Sequence, residues 1–149
     1  MAADLDDVRR LAATETGLAT LACVRPDGTA ALSVVNAGLL AHPVTGADVV
    51  GLVSVGRRKI EYLRAGRTAS IAFRRGWSWA GVEGPVDLIG PADPLPGFAA
   101  AGLPALLRAV FTAAGGTHDD WDTFDRVMAE EGRTAVLITP SRIYGRPPR

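Results

Sequence analysis

Short apolar runs rich in β-branched residues recur along the chain, and turn signals rather than long helical intervals separate most of them. The runs fall at residues 18–24, 29–35, 49–55, 68–73, 77–89, 133–139 and 141–145. A doubly wound parallel sheet needs a crossover helix after nearly every strand, and this chain has too few helical patterns for that. The spacing therefore predicts a mainly β fold with peripheral helices, an antiparallel Greek-key barrel. The clearest hairpin is Arg25-Pro26-Asp27-Gly28 between the first two runs. Proline presets one turn dihedral there and glycine accepts positive φ. Gly81 and Gly84 interrupt the longest run, so that strand is expected to bend.

Helical periodicity predicts helices over residues 4–14, 58–65, 98–113 and 121–131. Asp4 caps the first, and Gly66 is expected to stop the second. Pro104 marks a kink or a restart in the third, and the sequence His118-Asp119-Asp120 can cap the fourth.

With 149 residues, 48% of them hydrophobic, the chain fits one domain over residues 1–149 that buries a core without disulfides or metal. Its single cysteine, Cys23, lies inside an apolar run, which excludes a disulfide framework and fits a reducing compartment. Asp4, Asp6 and Asp7 stand where a signal peptide would carry basic residues. No run approaches the ~20 apolar residues that a bilayer crossing needs. A cytoplasmic setting with no membrane partner is expected. The 16 basic and 16 acidic residues cancel, which argues against a surface that coats nucleic acid. They are segregated, however. Arg57, Arg58, Lys59, Arg64, Arg67, Arg74 and Arg75 face a single acid, Glu61, over residues 57–75, while six acids face Arg126 alone over residues 119–131.

Three constellations carry chemistry. Ser54, Gly56, Arg57, Arg58 and Lys59 mark a strand-to-helix junction, where free amides, a hydroxyl and cations make an anion site suited to phosphate. The same residues also read as a solvated basic turn. Cations at a helix start oppose the dipole, and a bound anion relieves that conflict. Trp77, Ser78, Trp79 and Ala80 alternate along a strand so that both indoles share one face, against a planar ring, the core or a subunit interface. Ser33, Val35 and Asn36 close another strand, where the polar groups can meet a heterocycle edge or simply end the strand. His42 and His118 have no partner at ligand spacing, so no metal site is expected. There is no nucleophile elbow, P-loop or dinucleotide fingerprint. Catalytic side chains stay unassigned, which points to a borrowed cofactor.

Taken with Glu83-Gly84, the stretch from Gly116 to Asp122 and the ending Ile143-Tyr144-Gly145, these residues resemble the pyridoxamine 5'-phosphate oxidase-like split-barrel superfamily. Within it the chain is most similar to the actinobacterial flavin/deazaflavin oxidoreductases of group B, whose cofactor is often the deazaflavin coenzyme F420. The resemblance implies an FMN-binding type of split barrel, and a homodimer with a cofactor in each of two interfacial clefts. It implies that the ring lies against Ser33, Val35 and Asn36. Arg57 and Lys59 match the residues that hold the cofactor phosphate, beside Ser54 and Arg58 of the same junction, and Trp77, Ser78, Trp79 and Ala80 match the strand that lines the cleft. Where similar proteins carry polar side chains after the lysine, this chain has Ile60 and Tyr62. The implied activity is hydride transfer between reduced F420 and a small unsaturated or quinone-like substrate. FMN is the alternative cofactor, and a carrier for a cofactor or tetrapyrrole is the alternative role. Arg58, joined by Arg64, Arg74 or Arg75, is expected to form a positive track for the acidic tail of F420.

Overall fold

Tight turns set most of the strand pairing. In the computed structural model, which describes residues 2–54 and 56–148, β1 (Leu18–Val24) and β2 (Ala30–Asn36) pair antiparallel across the Pro-Asp-Gly turn. Asp27 accepts from the Thr29 amide at 3.0 Å, and Gly28 takes a φ of +87°. β3 (Gly38–Ala41) pairs with β4 (Asp48–Ser54), and β5 (Thr68–Arg75) with β6 (Ser78–Ile89). β7 (Thr134–Ile138) lies between β6 and β4, while β8 (Arg142–Arg146) pairs with β6. All these ladders are antiparallel. The order β2-β1-β5-β6-β7-β4-β3 puts β2 and β3 at opposite edges. Yet only Ala37 separates them in sequence, so the sheet must curl until its edges meet. No ladder joins those two edges among the described residues. The result is an antiparallel split β-barrel with peripheral helices.

The expected bend lies in β6, which pairs with β5 through residues 78–85 and with β7 through residues 86–89. Gly84 sits at the crossover, where a Cβ would overlap the Thr139 carbonyl oxygen. Two cores result. Leu21, Ile71, Phe73 and Val82 pack beneath α1 (Leu5–Thr14) and α2 (Arg57–Gly66). Val49, Leu137, Val110 and Phe124 join β4 and β7 to α3 (Leu103–Ala113) and α4 (Trp121–Glu130). Asp4 caps α1 through a reciprocal pairing with Asp7, and the amide hydrogen bond from Asp7 holds the Asp4 carboxyl below the usual carboxylate range. Asp120 caps α4 by accepting from the Thr123 amide at 3.1 Å.

Several expectations need correction. The third helix begins at Leu103 rather than at residue 98, after a short 3-10 turn, Ala100–Gly102, and Pro104 in its first turn marks the restart that was expected. α2 runs through Gly66, and Arg67 takes the left-handed conformation at φ +56°. Strand β3 has no counterpart among the expected runs. Trp77 belongs to the turn before β6. Val55, expected to end the third run, lies outside the described residues.

Candidate functional site

The barrel brings only part of the expected constellation together. β4 ends at Ser54, and α2 starts three residues later with Gly56 as its N-cap. No side chain caps that helix start and no acid lies in its first turn. The first amides and the positive end of the helix dipole are left for something else. Ser54 is 3% exposed, and its Oγ is the one buried side-chain polar atom without a hydrogen-bond partner among the described residues. It lies 4.0 Å from the position a Cβ would take on Gly56. Lys59 folds back over the same glycine, its Cβ 3.5 Å and its Cε 3.8 Å from that point. Glycine thus keeps open a cradle between a hydroxyl and a lysine stem.

Ser54 and Arg57 line a groove of about 490 Å³, walled by Arg64 and by Pro91 and Ala92. The Arg57 side chain is almost fully exposed, and its Nε is 3.9 Å from Glu61 Oε1. Among the described residues no carboxylate lies within ion-pair reach of Arg58 or Lys59. The Lys59 charge partly offsets the burial that pushes the Cys23 thiol up. Ile60 is buried and Tyr62 packs against the barrel core, so the two departures from the polar pattern are explained by packing.

The other expected site residues lie elsewhere on the chain. Ser78 lines a separate groove of about 710 Å³ with Arg10, Thr14 and Arg75. Asn36 lines a third cavity of about 240 Å³ with Val53, Phe111 and Arg133, and its Nδ2 donates to the Thr16 carbonyl at 2.7 Å. Ser33 and Val35 are half-buried, on the opposite face of β2 from Asn36. Ala80 is fully buried in the core, because alternation turns it inward when Trp79 faces outward, so it has no surface to offer a cleft. Trp77 is 87% exposed in the hairpin turn, so the two indoles do not share a strand face. Trp79 packs edge-on against Tyr144 at 5.9 Å between centroids. Tyr144 lies over Gly81 and donates to Glu83 Oε2 at 3.1 Å; burial, then that carboxylate, raises its phenol above the usual value.

Two of the arginines offered for the positive track are engaged within the chain. Arg64 donates from Nε and Nη2 to the two Asp93 oxygens, each at 2.7 Å. Arg74 donates to the Gly76 carbonyl at 3.0 Å. Neither histidine offers a free ligand pair. His42 is buried, with Nε2 2.9 Å from Asp87 Oδ2 and Nδ1 accepting from the Val44 and Thr45 amides. His118 Nδ1 accepts from the Asp120 amide. Among the described residues no cluster of three or more His, Cys, Asp or Glu could hold a metal ion, and no helix is long and apolar enough to cross a membrane.

The curled sheet has counterparts among solved structures. A conserved hypothetical protein from Mycobacterium tuberculosis is 17% identical, over 96% of this chain and 84% of that one, with a TM-score of 0.67. A pyridoxamine 5'-phosphate oxidase-related, FMN binding protein from Nostoc punctiforme is 14% identical, over 93% and 78%, with a TM-score of 0.61. This chain has the split-barrel fold. An F420 reductase shares it at 14% identity, over 85% of this chain and 87% of that one, with a TM-score of 0.55. A heme binding protein from Mycobacterium smegmatis shares it as well, at 18% identity and a TM-score of 0.55. No protein-family model matches the chain.

Sequence reasoning missed Thr134, which lines the Ser54 groove from β7. Its signal is a cross-strand register, which no local motif carries.

Proposed function

We propose that this split barrel binds a flavin-type cofactor, the deazaflavin F420 in preference to FMN, and acts as an oxidoreductase on a small unsaturated or quinone-like molecule. The observation that carries the reading is the orphaned Ser54 hydroxyl at an uncapped, acid-free helix start flanked by cations. A buried hydroxyl without a partner is destabilising, and a phosphate oxygen supplies what it lacks. The cradle over Gly56 fits the same group. The split-barrel F420 reductase and FMN binding protein support a cofactor of this class.

A bound flavin or deazaflavin supplies a hydride to an electron-poor acceptor. The chain's own residues have the simpler tasks of binding and orienting. Ser54, Arg57 and the α2 amides hold the anionic end, while Arg58 and Lys59 add unpaired positive charge. The ring needs a drier enclosure than one chain offers, because Asn36, Ser54 and Ser78 line three separate cavities. A homodimer resolves this. Leu32 and Val34, 69% and 72% exposed on edge strand β2, share an uncovered sheet face with Trp79 and Tyr144. A second copy packed there would cover that face, and the exposed Trp77 of the adjoining turn is available to contact it. The setting that suits a free, buried Cys23 is the cytoplasm.

A second reading, a carrier for a tetrapyrrole, has the heme binding protein in its favour. The engaged nitrogens of His42 leave an iron without that ligand. One experiment separates the readings. The purified protein is titrated with F420, FMN and heme by absorbance and fluorescence, and the reduced cofactor is then offered enones, quinones and nitroaromatics. Tighter F420 binding with consumption of the reduced form is expected. Binding without turnover on any acceptor makes the protein a carrier, and tighter FMN binding overturns the choice of cofactor.

A further inference from the structure

Ser54 does not stand alone in its groove. β4 and β7 run antiparallel with Ser54 directly opposite Thr134. Cross-strand partners project to the same face, with Cβ atoms about 5 Å apart. Thr134 is 5% exposed and lines the same groove of about 490 Å³. Gly90 passes close above it; a Cβ there would come within 2.5 Å of Thr134 Oγ1. Two buried hydroxyl-bearing residues thus line one groove beneath an uncapped helix start, with the Ser54 hydroxyl left unbonded by its neighbour. Arg57, which lines the groove, is held only loosely, 3.9 Å from the exposed Glu61 carboxylate that also lines it.

We propose that Thr134 is a second anion-binding hydroxyl, which together with Ser54 seats the terminal oxyanion of the ligand, and that Glu61 holds Arg57 at the groove until that anion displaces it. The proposal rests on the cofactor reading for the identity of the ligand, while the chemistry it names is that of any tetrahedral oxyanion. Each hydroxyl can donate to one phosphate oxygen, and the α2 amides can reach a third. Glu61 is the one acid of α2, just beyond its first turn and four residues from Arg57. A carboxylate in that position competes with the ligand for the guanidinium.

The test uses the full chain with inorganic phosphate, FMN and F420 as separate probes. Binding is read by calorimetry and by the rise in melting temperature. Thr134→Val removes the hydroxyl at nearly constant shape and should weaken binding of all anionic probes about tenfold. Thr134→Ser should restore it to within about threefold. Glu61→Gln lies on the surface and leaves the core untouched; it should tighten binding about two- to fivefold, the scale of an exposed ion pair. Wild-type affinity in Thr134→Val for every probe overturns the two-hydroxyl seat. Unchanged or weaker binding in Glu61→Gln overturns its role as placeholder. Phosphate binding that depends on Thr134, with no binding of either cofactor, supports the seat and overturns the cofactor reading instead. Absence of phosphate and cofactor binding in the wild type overturns both.

Discussion

Replacing Ser54 by alanine should push stability and affinity in opposite directions. Without ligand, the wild-type chain keeps a buried hydroxyl unpaired. An unsatisfied buried hydroxyl costs about 1–3 kcal/mol, and alanine removes that cost while leaving a gap of only one oxygen. A net gain of about 1 kcal/mol follows, or about 2–4 °C in melting temperature for a chain of this size. With ligand the sign reverses. A hydroxyl donating to a charged phosphate oxygen contributes about 1.5–3 kcal/mol, so Ser54→Ala should bind cofactor about 10- to 150-fold more weakly. At a ligand concentration of about 100 times the wild-type Kd, the wild type gains about 2.7 kcal/mol by mass action, and the stability ranking should invert. Urea unfolding with and without cofactor measures both halves. A variant that is less stable by more than about 0.5 kcal/mol without ligand would show that the hydroxyl has a partner in the free protein. Unchanged affinity would show that the anion sits elsewhere.

Three further outcomes follow from other parts of the molecule. Trp77→Ala removes an 87% exposed indole from a turn, so folding should be unaffected while self-association and cofactor affinity fall together; light scattering that shows an unchanged dimer refutes its interfacial role. Gly81→Val would drive a side chain into the Tyr144 ring, already 2.9 Å from a Cβ at that position, and should disrupt the Trp79–Tyr144 contact with a loss of about 1–3 kcal/mol. Fluorescence and urea midpoints report it, and an unperturbed spectrum at wild-type stability argues against the close approach. Asp93 carries a carboxyl that its hydrogen bonds from Arg64 hold below the usual carboxylate range. A depressed folded pKa stabilises above the unfolded value and loses that contribution as pH falls through the folded one, here below about pH 4. The stability advantage of wild type over Asp93→Asn should therefore shrink in that acidic window, and a constant gap from neutral to acid pH refutes the pairing.

What was legible in the sequence was local. β1 occupies residues 18–24 as the apolar run predicts, because a buried alternating face and a Pro-Asp-Gly turn specify each other within ten residues. The caps Asp4 and Asp120 were readable for the same reason. β3 was not, since its four residues run from buried Gly38 through half-buried Leu39 and Leu40 to exposed Ala41 without alternation, and it pairs only along the edge that β4 offers. Arg67 rather than Gly66 adopts positive φ because the helix needs one more residue before its amide can reach the Leu63 carbonyl. At the site, the basic stretch was visible, but the fate of each cation was not. Arg64 is clamped by Asp93, 29 residues away, and Thr134 reaches Ser54 only through a register between strands that are 80 residues apart.

The basic start of α2 is the place where local rules conflict. Arg57, Arg58 and Lys59 put positive charge where the helix dipole is also positive, no acid offsets it in the first turn, and the preceding strand buries a hydroxyl with nothing to bond. Each defect destabilises the free chain, and all are relieved by one event, the arrival of an oxyanion. Conflicts spread at random over a fold would have unrelated remedies; here the remedy is common, which is how a binding site differs from poor packing. The conflict also predicts linkage. Sulfate or phosphate should raise the melting temperature more than chloride at equal ionic strength, since screening alone treats the ions alike whereas a seat for a tetrahedral anion does not. Because excluded sulfate strengthens any fold to some degree, the decisive comparison is with Ser54→Ala, in which the general effect persists and the specific increment is lost. Equal increments in both proteins would leave the basic turn as a solvated face.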